Sequence, residues 1–500
     1  MKNSKVLPLT LLCASLIAGA LMACNEQTDD VSAADTSSAE ETTAAAAESV
    51  TEKDQPYSSL LKYVDYGGAE FNIYTSNTVN GMNMSILQNY AEKETGEVIN
   101  DALFARDRFL EENYNVNVNY TCDDTNSTGQ IAQKLAQSIL AGDDAYQLVI
   151  LDHATATKSL ASQGAIYPLN YIDTIHLDAD YWMPELNKNT YIGTSMYYPS
   201  CMISPRYFGS VYVIMFNQDM ARELDLGDMY TLVHEGKWTF DKMMEFARLA
   251  VKDLDGDGDI EGDDRIGLMF ESHEGFLLAS GYSLVENKNN SLACGLEHPE
   301  MISFIQHALD CFTEQGVFND GWNVDGESVY ANGTALFTNP CTFSLDAYRD
   351  LNYDYGILPM PKYTEEQERY IGFSQPWINA APAIPITATG EKLDMIGTLT
   401  DAMVAYGYDY IKPAVYDNVL RMKGARDEQS ALIMDEIFSN ITIELSCTLN
   451  LASYRPINEV FTSKLGTAEI TSAYAGAKKA IESELAGIMK SYEEFAARLD

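Results

Sequence analysis

Leu148-Val149-Ile150-Leu151 is apolar at every position, and polar stretches bound it on both sides. A strand with no polar side chain has no face for water, so its sheet must be covered on both faces. The residues before it supply the cover. Ile131, Leu135 and Ile139 recur at helical spacing, which predicts a helix over 130–141. Val116-Asn117-Val118-Asn119-Tyr120 alternates with period two and reads as a strand, and Phe71-Asn72-Ile73-Tyr74 reads as another. Between them a helical pattern runs from about 85 to 112, with a break near Gly96. Strand, helix, strand, helix, strand implies a parallel α/β layer.

The same grammar resumes after Tyr207. Strands are expected at 212–216 and 355–358. Thr239 is a good N-cap, with Asp241 in the first turn, for a helix over 239–251. Further helices are expected at 298–316, 391–411, 427–440 and 468–497. A chain of 500 residues exceeds what one core supports, so two domains are expected.

The N-terminus reads as a targeting segment. Lys2 and Lys5 precede an apolar stretch over 6–23 that is too short and too rich in small residues for a comfortable membrane span. It ends in Leu21-Met22-Ala23-Cys24, the pattern of a lipoprotein signal over 1–24, with Cys24 as the lipidated residue and palmitate among its acyl groups. Residues 25–56 hold Ala, Ser, Thr, Asp and Glu and no aromatic. Such a segment buries too little apolar surface to offset its ordering entropy, which predicts a disordered tether. The formal net charge is −42. A phosphate-backbone binder needs clustered Lys and Arg, so a nucleic-acid partner is excluded. The cysteines after Cys24 show no metal-ligand spacing, and their pairing stays open between disulfides and free thiols.

Six local motifs, in order, resemble the family 1 extracellular solute-binding proteins, the maltose-binding type. Asp144 to Asp152, in Asp-Ala-Tyr-Gln-Leu-Val-Ile-Leu-Asp, resembles the strand that ends at the ligand cleft. Gln163-Gly164-Ala165-Ile166-Tyr167-Pro168-Leu169 is similar to the family's G-x-L-x-P-L loop. Phe216-Asn217-Gln218-Asp219 resembles Y-N-K-D, and Gly236-Lys237-Trp238-Thr239 resembles a helix opening. Val329 to Phe337, with Gly333, is similar to F-x-x-G-x-A-A-M. Tyr355-Gly356-Ile357-Leu358-Pro359-Met360-Pro361 resembles Y-G-V-x-P-x-P.

The resemblance implies a two-lobed α/β fold of the periplasmic-binding-protein type II, with a hinge between lobes. Lobe one would hold 66–206 and 378–412, and lobe two 208–373 and 414–500. It implies a monomer that closes on a small carbohydrate ligand and hands it to the permease subunits of an ABC importer, held to the membrane by the lipid on Cys24. A surface glycan-binding adhesin without a transporter, or a glycan-active enzyme, are the alternatives. No G-x-S-x-G, H-E-x-x-H or G-x-x-x-x-G-K-[ST] motif supports the enzyme.

Sugar binding needs aromatic faces for the apolar side of a ring and planar polar groups for its hydroxyls. The candidates are Asp152 at its strand end, Thr75 after the first strand, Arg206 and Tyr207 at the first crossing, Asn339 after the strand over 335–338, Trp377 at the second crossing, and the loop aromatic Trp322. Arg206 could instead pair an acidic ligand group.

A second constellation is independent of the cleft. Asp253, Asp255, Asp257, Asp259 and Asp264 fall in a twelve-residue loop, with Gly258 at its sixth position and Asp264 at its twelfth. That spacing fits a structural Ca²⁺ loop.

Overall fold

The computed structural model describes residues 55–77, 82, 85–124, 128–154, 158–261, 263–319, 330–417, 424–449, 451 and 454–499. The lipidation signal, Cys24 and the tether up to residue 54 lie outside the described residues, as does Trp322.

The first sheet is built as the alternation predicts. β1 (Ala69–Thr75) is parallel to β2 (Val116–Cys122) along its whole length and to β3 (Leu148–Asp152) from Ile73 onward. Parallel neighbours need crossovers, supplied by α1 (Val98–Tyr114) and α2 (Thr128–Leu140). Of the helix expected from 85, only one short turn forms, Ser85–Leu87; residues 88–97 are not helical, and Gly96 takes φ +83 just before the next helix. α1 then starts where the Glu97 side chain accepts from the N–H of Asn100 at 2.8 Å. Strand alternation splits the core in two. Phe71, Ile73, Leu148 and Ile150 enter one apolar cluster, while Tyr74, Val149 and Leu151 enter another on the opposite face.

After β3 come α3 (Lys158–Ser162) and the short turn α4 (Arg206–Gly209), where the chain leaves this sheet. The second sheet has the order β10-β4-β9-β5-β8. Its strands are β4 (Ile214–Asn217), β5 (Ile266–Phe270), β8 (Val317–Asn319), β9 (Ala335–Thr338) and β10 (Tyr355–Leu358). α5 (Phe240–Ala250) is capped by Thr239, whose hydroxyl accepts from the N–H of Lys242 at 3.2 Å. α6 (His273–Ala279), the hairpin β6 (Val285–Lys288) to β7 (Ser291–Cys294), and α7 (Pro299–Phe312) complete this part. The chain returns through β11 (Gly372–Phe373) to β12 (Ala380–Ala383), which is antiparallel to β3 and pairs Ala380 with Asp152. α8 (Glu391–Tyr406) packs on the first sheet through Ile396, Leu399 and Met403.

The C-terminal region holds α9 (Glu428–Ser439), β13 (Ile441–Thr442) beside β11, α10 (Leu445–Thr448), α11 (Arg455–Phe461) and α12 (Ile470–Ala496). The expected partition assigns 414–500 to lobe two, and the core residues of this region reach both sheets. The second half of α12 packs on the first sheet's helices, with Leu485 and Met489 in one cluster with Ile131 and Leu160. The six described cysteines are all free thiols. Among the described residues no helix is long and apolar enough to cross a membrane.

Candidate functional site

Thr75, Asp152 and Arg206 come together where strands of the first sheet end. Thr75 closes β1; its hydroxyl donates to the Ile150 carbonyl at 2.9 Å and accepts from Asn89 Nδ2 at 3.0 Å. Asp152 closes β3 and is buried. Arg206 is 2% exposed. Its Nε donates to the Leu87 carbonyl at 2.5 Å and its Nη2 to the Ser76 carbonyl at 2.6 Å. Burial pulls its guanidinium down to about 10, and the charges of Asp152 and Asp124 offset part of that pull. Arg206 is thus spent on the loop after β1, which weighs against its alternative role of pairing an acidic ligand group.

The crossings are laced by small polar side chains. Ser210 and Ser374 share a hydroxyl bond at 2.8 Å. Asn379 Nδ2 donates to Ser200 Oγ at 2.5 Å and Ser374 Oγ at 3.1 Å. The N–H groups of His153 and Ala154 donate to the carbonyls of Asn379 and Pro376. His153 is fully buried, and neither ring nitrogen has a hydrogen-bond partner among the described residues. Burial pulls its imidazole down to about 4, so the ring is neutral.

Trp377 lies between β11 and β12 and is half-buried. Its ring stands 6.2 Å from that of Tyr454, tilted by 46°. The Tyr454 hydroxyl donates to Glu274 Oε1, and the Ser272 hydroxyl donates to Glu274 Oε2. Burial pushes the Glu274 carboxyl up, but His273, Ser272 and Tyr454 together hold it below the usual range. This corner joins the second crossing, the end of β5 and the C-terminal segment. No sequence signal brings Tyr454 to Glu274, 180 residues away.

The other candidates go elsewhere. Asn339 is fully buried; its Oδ1 accepts from the N–H of Glu271 at 2.7 Å and its Nδ2 donates to the Ser272 carbonyl at 2.7 Å. It ties the end of β9 to the end of β5. Tyr207, next to Arg206, lines a cavity of about 370 Å³ with Met183, Leu186, Ile371 and Phe438. Arg206 and Asp152 are not among that cavity's walls.

Residues 82–272 match the profile of the bacterial extracellular solute-binding proteins. No curated protein sequence matches the chain. Solved structures share the fold at low identity. The maltose/maltodextrin-binding domain MalE from Bdellovibrio bacteriovorus, bound to maltotriose, is 14% identical with TM-score 0.52, covering 83% of this chain and 100% of that one. The ABC substrate-binding protein Lmo0181 from Listeria monocytogenes, in complex with cycloalternan, is 13% identical with TM-score 0.52, covering 83% and 98%. UgpB from Mycobacterium tuberculosis, in complex with glycerophosphocholine, is 16% identical with TM-score 0.52, covering 84% and 99%. These likenesses make the two-lobed, type II periplasmic-binding-protein fold explicit.

The chain also carries the acidic loop, between α5 and β5. The Lys252–Arg265 bridge closes it. It adjoins the start of β5, the end of the strand opposite Glu271 and Ser272. Asp253 accepts from the N–H of Gly256 at 2.5 Å and of Gly258 at 2.9 Å. Gly258 sits at φ +96, a conformation that favours glycine. The carboxylates of Asp253, Asp255 and Asp257 converge, each offering an oxygen within 4.8 Å of the others. Asp255 and Asp257 are exposed, as is Asp259. Asp264 differs from the expected closing ligand. It is buried, and its two oxygens accept from the N–H groups of Leu254 at 2.7 Å and Glu261 at 3.0 Å. Three carboxylates on one side of a tight loop fit a hard cation; Asp264 holds the loop's shape.

Proposed function

We propose that this solute-binding protein captures a mono- or oligosaccharide between its lobes by hinge closure and delivers it to an ABC importer. Trp377 carries the reading. It is a half-buried indole at a crossing between lobes, beside Tyr454, whose hydroxyl donates to the Glu274 carboxylate. An aromatic face next to fixed polar groups suits a sugar ring, whose two faces are apolar and whose rim is hydroxyl. The saccharides named with two of the similar structures support that ligand class. The engagement of Arg206 with two carbonyls weighs against an anionic ligand as the main one. The protein acts by binding, without covalent chemistry. Asp152 and Thr75 border the same region, and we assign them to the polar floor of the cleft.

The cell-surface placement follows from the lipidated Cys24 and the acidic tether. Cys24→Ser should then release the protein from the membrane fraction or leave it unprocessed. The loop at Asp253, Asp255 and Asp257 would take Ca²⁺ as a structural ion. The ligand class is tested by a thermal-shift panel of mono- and oligosaccharides, polyols, amino acids and glycerophosphodiesters. A saccharide should raise the melting temperature most. A shift with a glycerophosphodiester and none with any saccharide defeats the assignment.

A further inference from the structure

α12 runs for 27 residues, about 40 Å at 1.5 Å per residue. Its buried positions, from Ile470 through Ile481, Leu485, Met489 and Tyr492 to Phe495, make one apolar stripe at helical spacing. The two ends of that stripe meet different sheets. Ile470 lies in the cluster built on the second sheet, and its N–H donates to Gln306 Oε1 of α7 at 3.2 Å. From Ile481 onward the stripe enters the cluster that holds Ile131 of α2, Leu160 of α3 and Val149 of β3.

The grip on the first sheet's side is close. Phe495 packs on the backbone of Gly164 so tightly that a Cβ there would meet its ring at 2.8 Å. The hydroxyls of Tyr492 and Tyr198 share a buried hydrogen bond at 2.5 Å. Met489 lies over Gly193, 3.3 Å from the place its Cβ would occupy. The hairpin β6–β7 joins from the second sheet's side. Val285 and Leu292 enter the same cluster, and Asn287 Nδ2 donates to the Tyr191 carbonyl at 2.7 Å.

An apolar cluster shared by the two lobes must be parted before they rotate apart. We propose that α12 is a strap that binds the two lobes and sets how far they open. It packs against α11, whose Ile457 and Phe461 lie in the second sheet's cluster. Residues 481–496 are therefore the end that detaches. With the strap seated, the lobes stay close without ligand. With it detached, they are free to rotate as two bodies. Every event that shifts this balance also shifts ligand affinity, because binding draws on the population of the closed state. The proposal does not depend on which solute is bound.

Hydrogen exchange on the full-length chain, without added ligand, tests it. In Tyr492→Phe/Phe495→Ala, exchange should accelerate at least tenfold together in residues 481–496, in Lys158–Ser162 and in the hairpin 285–294. X-ray scattering of the same variant should show a larger radius of gyration than the wild type. Tyr492→Phe alone keeps the ring and serves if the double variant does not fold; it should show the same pattern at smaller amplitude. Acceleration confined to 492–496 in either variant, with unchanged scattering, overturns the strap and leaves α12 as ordinary packing.

Discussion

Arg206 and Tyr207 are consecutive residues on one helical turn, and they serve different surroundings. The Arg206 guanidinium reaches back to the carbonyls of Ser76 and Leu87, across more than a hundred residues. The Tyr207 ring lines the cavity beside Met183 and Phe438. Arg206 therefore pins the loop after β1 to the first crossing, in the field of Asp152.

Arg206→Ala should be costly for that reason. It leaves two buried carbonyls without these donors and removes the positive charge beside Asp152. Breaking a buried charge arrangement from one side costs about 3–5 kcal/mol. Arg206→Lys should recover only part, because a single ammonium lacks the planar fork that reaches both carbonyls. Urea denaturation midpoints check both. A loss under about 1 kcal/mol for the alanine variant contradicts the assigned role.

Much of the fold was legible in the sequence because local periodicity and burial agree there. Leu148 to Leu151 had to be covered on both faces, and they are. The Thr239 cap sat where backbone geometry demanded it, whereas the helix expected before Gly96 shrank to one turn. The site was less legible, since its pieces meet only in three dimensions. Trp377 could be placed at a crossing, but nothing near residue 454 announced a tyrosine beside it. Asn339 follows a strand end as expected, yet its amide is used to join β5 and β9. That α12 reaches both sheets was not legible, because an apolar stripe records that a helix is buried and leaves open what buries it.

Trp377→Ala should weaken saccharide binding far more than it weakens the fold. The ring is half-buried at a crossing, where it packs against the edge of a core cluster. Aromatic stacking contributes about 0.5–1.5 kcal/mol beyond area burial, so with lost contact area the Kd should rise about tenfold or more. Titration calorimetry with the saccharide that gives the largest thermal shift measures it. A lowered melting temperature with unchanged Kd would assign Trp377 to packing.

Calcium should stabilise the protein through the Asp253–Asp255–Asp257 cluster. An ion that binds only the native state stabilises by mass action, about 2.7 kcal/mol at a hundred times Kd. The melting temperature should rise in millimolar Ca²⁺ after chelator treatment, and Asp255→Ala/Asp257→Ala should abolish the rise. Asp264→Asn should instead lower stability with or without Ca²⁺, because its carboxylate accepts the loop's own N–H groups. Equal shifts in wild type and double variant mean that the ion binds elsewhere.

Glu444 predicts a pH dependence of opposite sign to that of an ordinary paired carboxylate. It is buried at the start of α10. Its Oε1 accepts from the N–H groups of Val285 and Ser446, and its Oε2 from that of Leu284. Burial pushes its carboxyl up to about 7 despite those donors, from an ordinary value of 4.5. The adjacent Cys447 supplies no positive charge. The folded state thus holds a proton that the unfolded chain releases above about pH 4.5. The contribution is fully present below pH 4.5 and is lost as pH rises toward 7, by about 3 kcal/mol in all. Glu444→Gln cannot ionise, so its stability should not fall over that interval from this source. It should start lower, because an amide nitrogen would face one of the backbone N–H groups that the carboxylate now accepts. The check is the difference between wild-type and variant unfolding free energies at pH 4.5, 5.5, 6.5 and 7.5. The gap should narrow steadily toward pH 7. A gap that stays constant, or widens with pH, means that Glu444 is ionised in the folded protein throughout and that its backbone donors outweigh its burial.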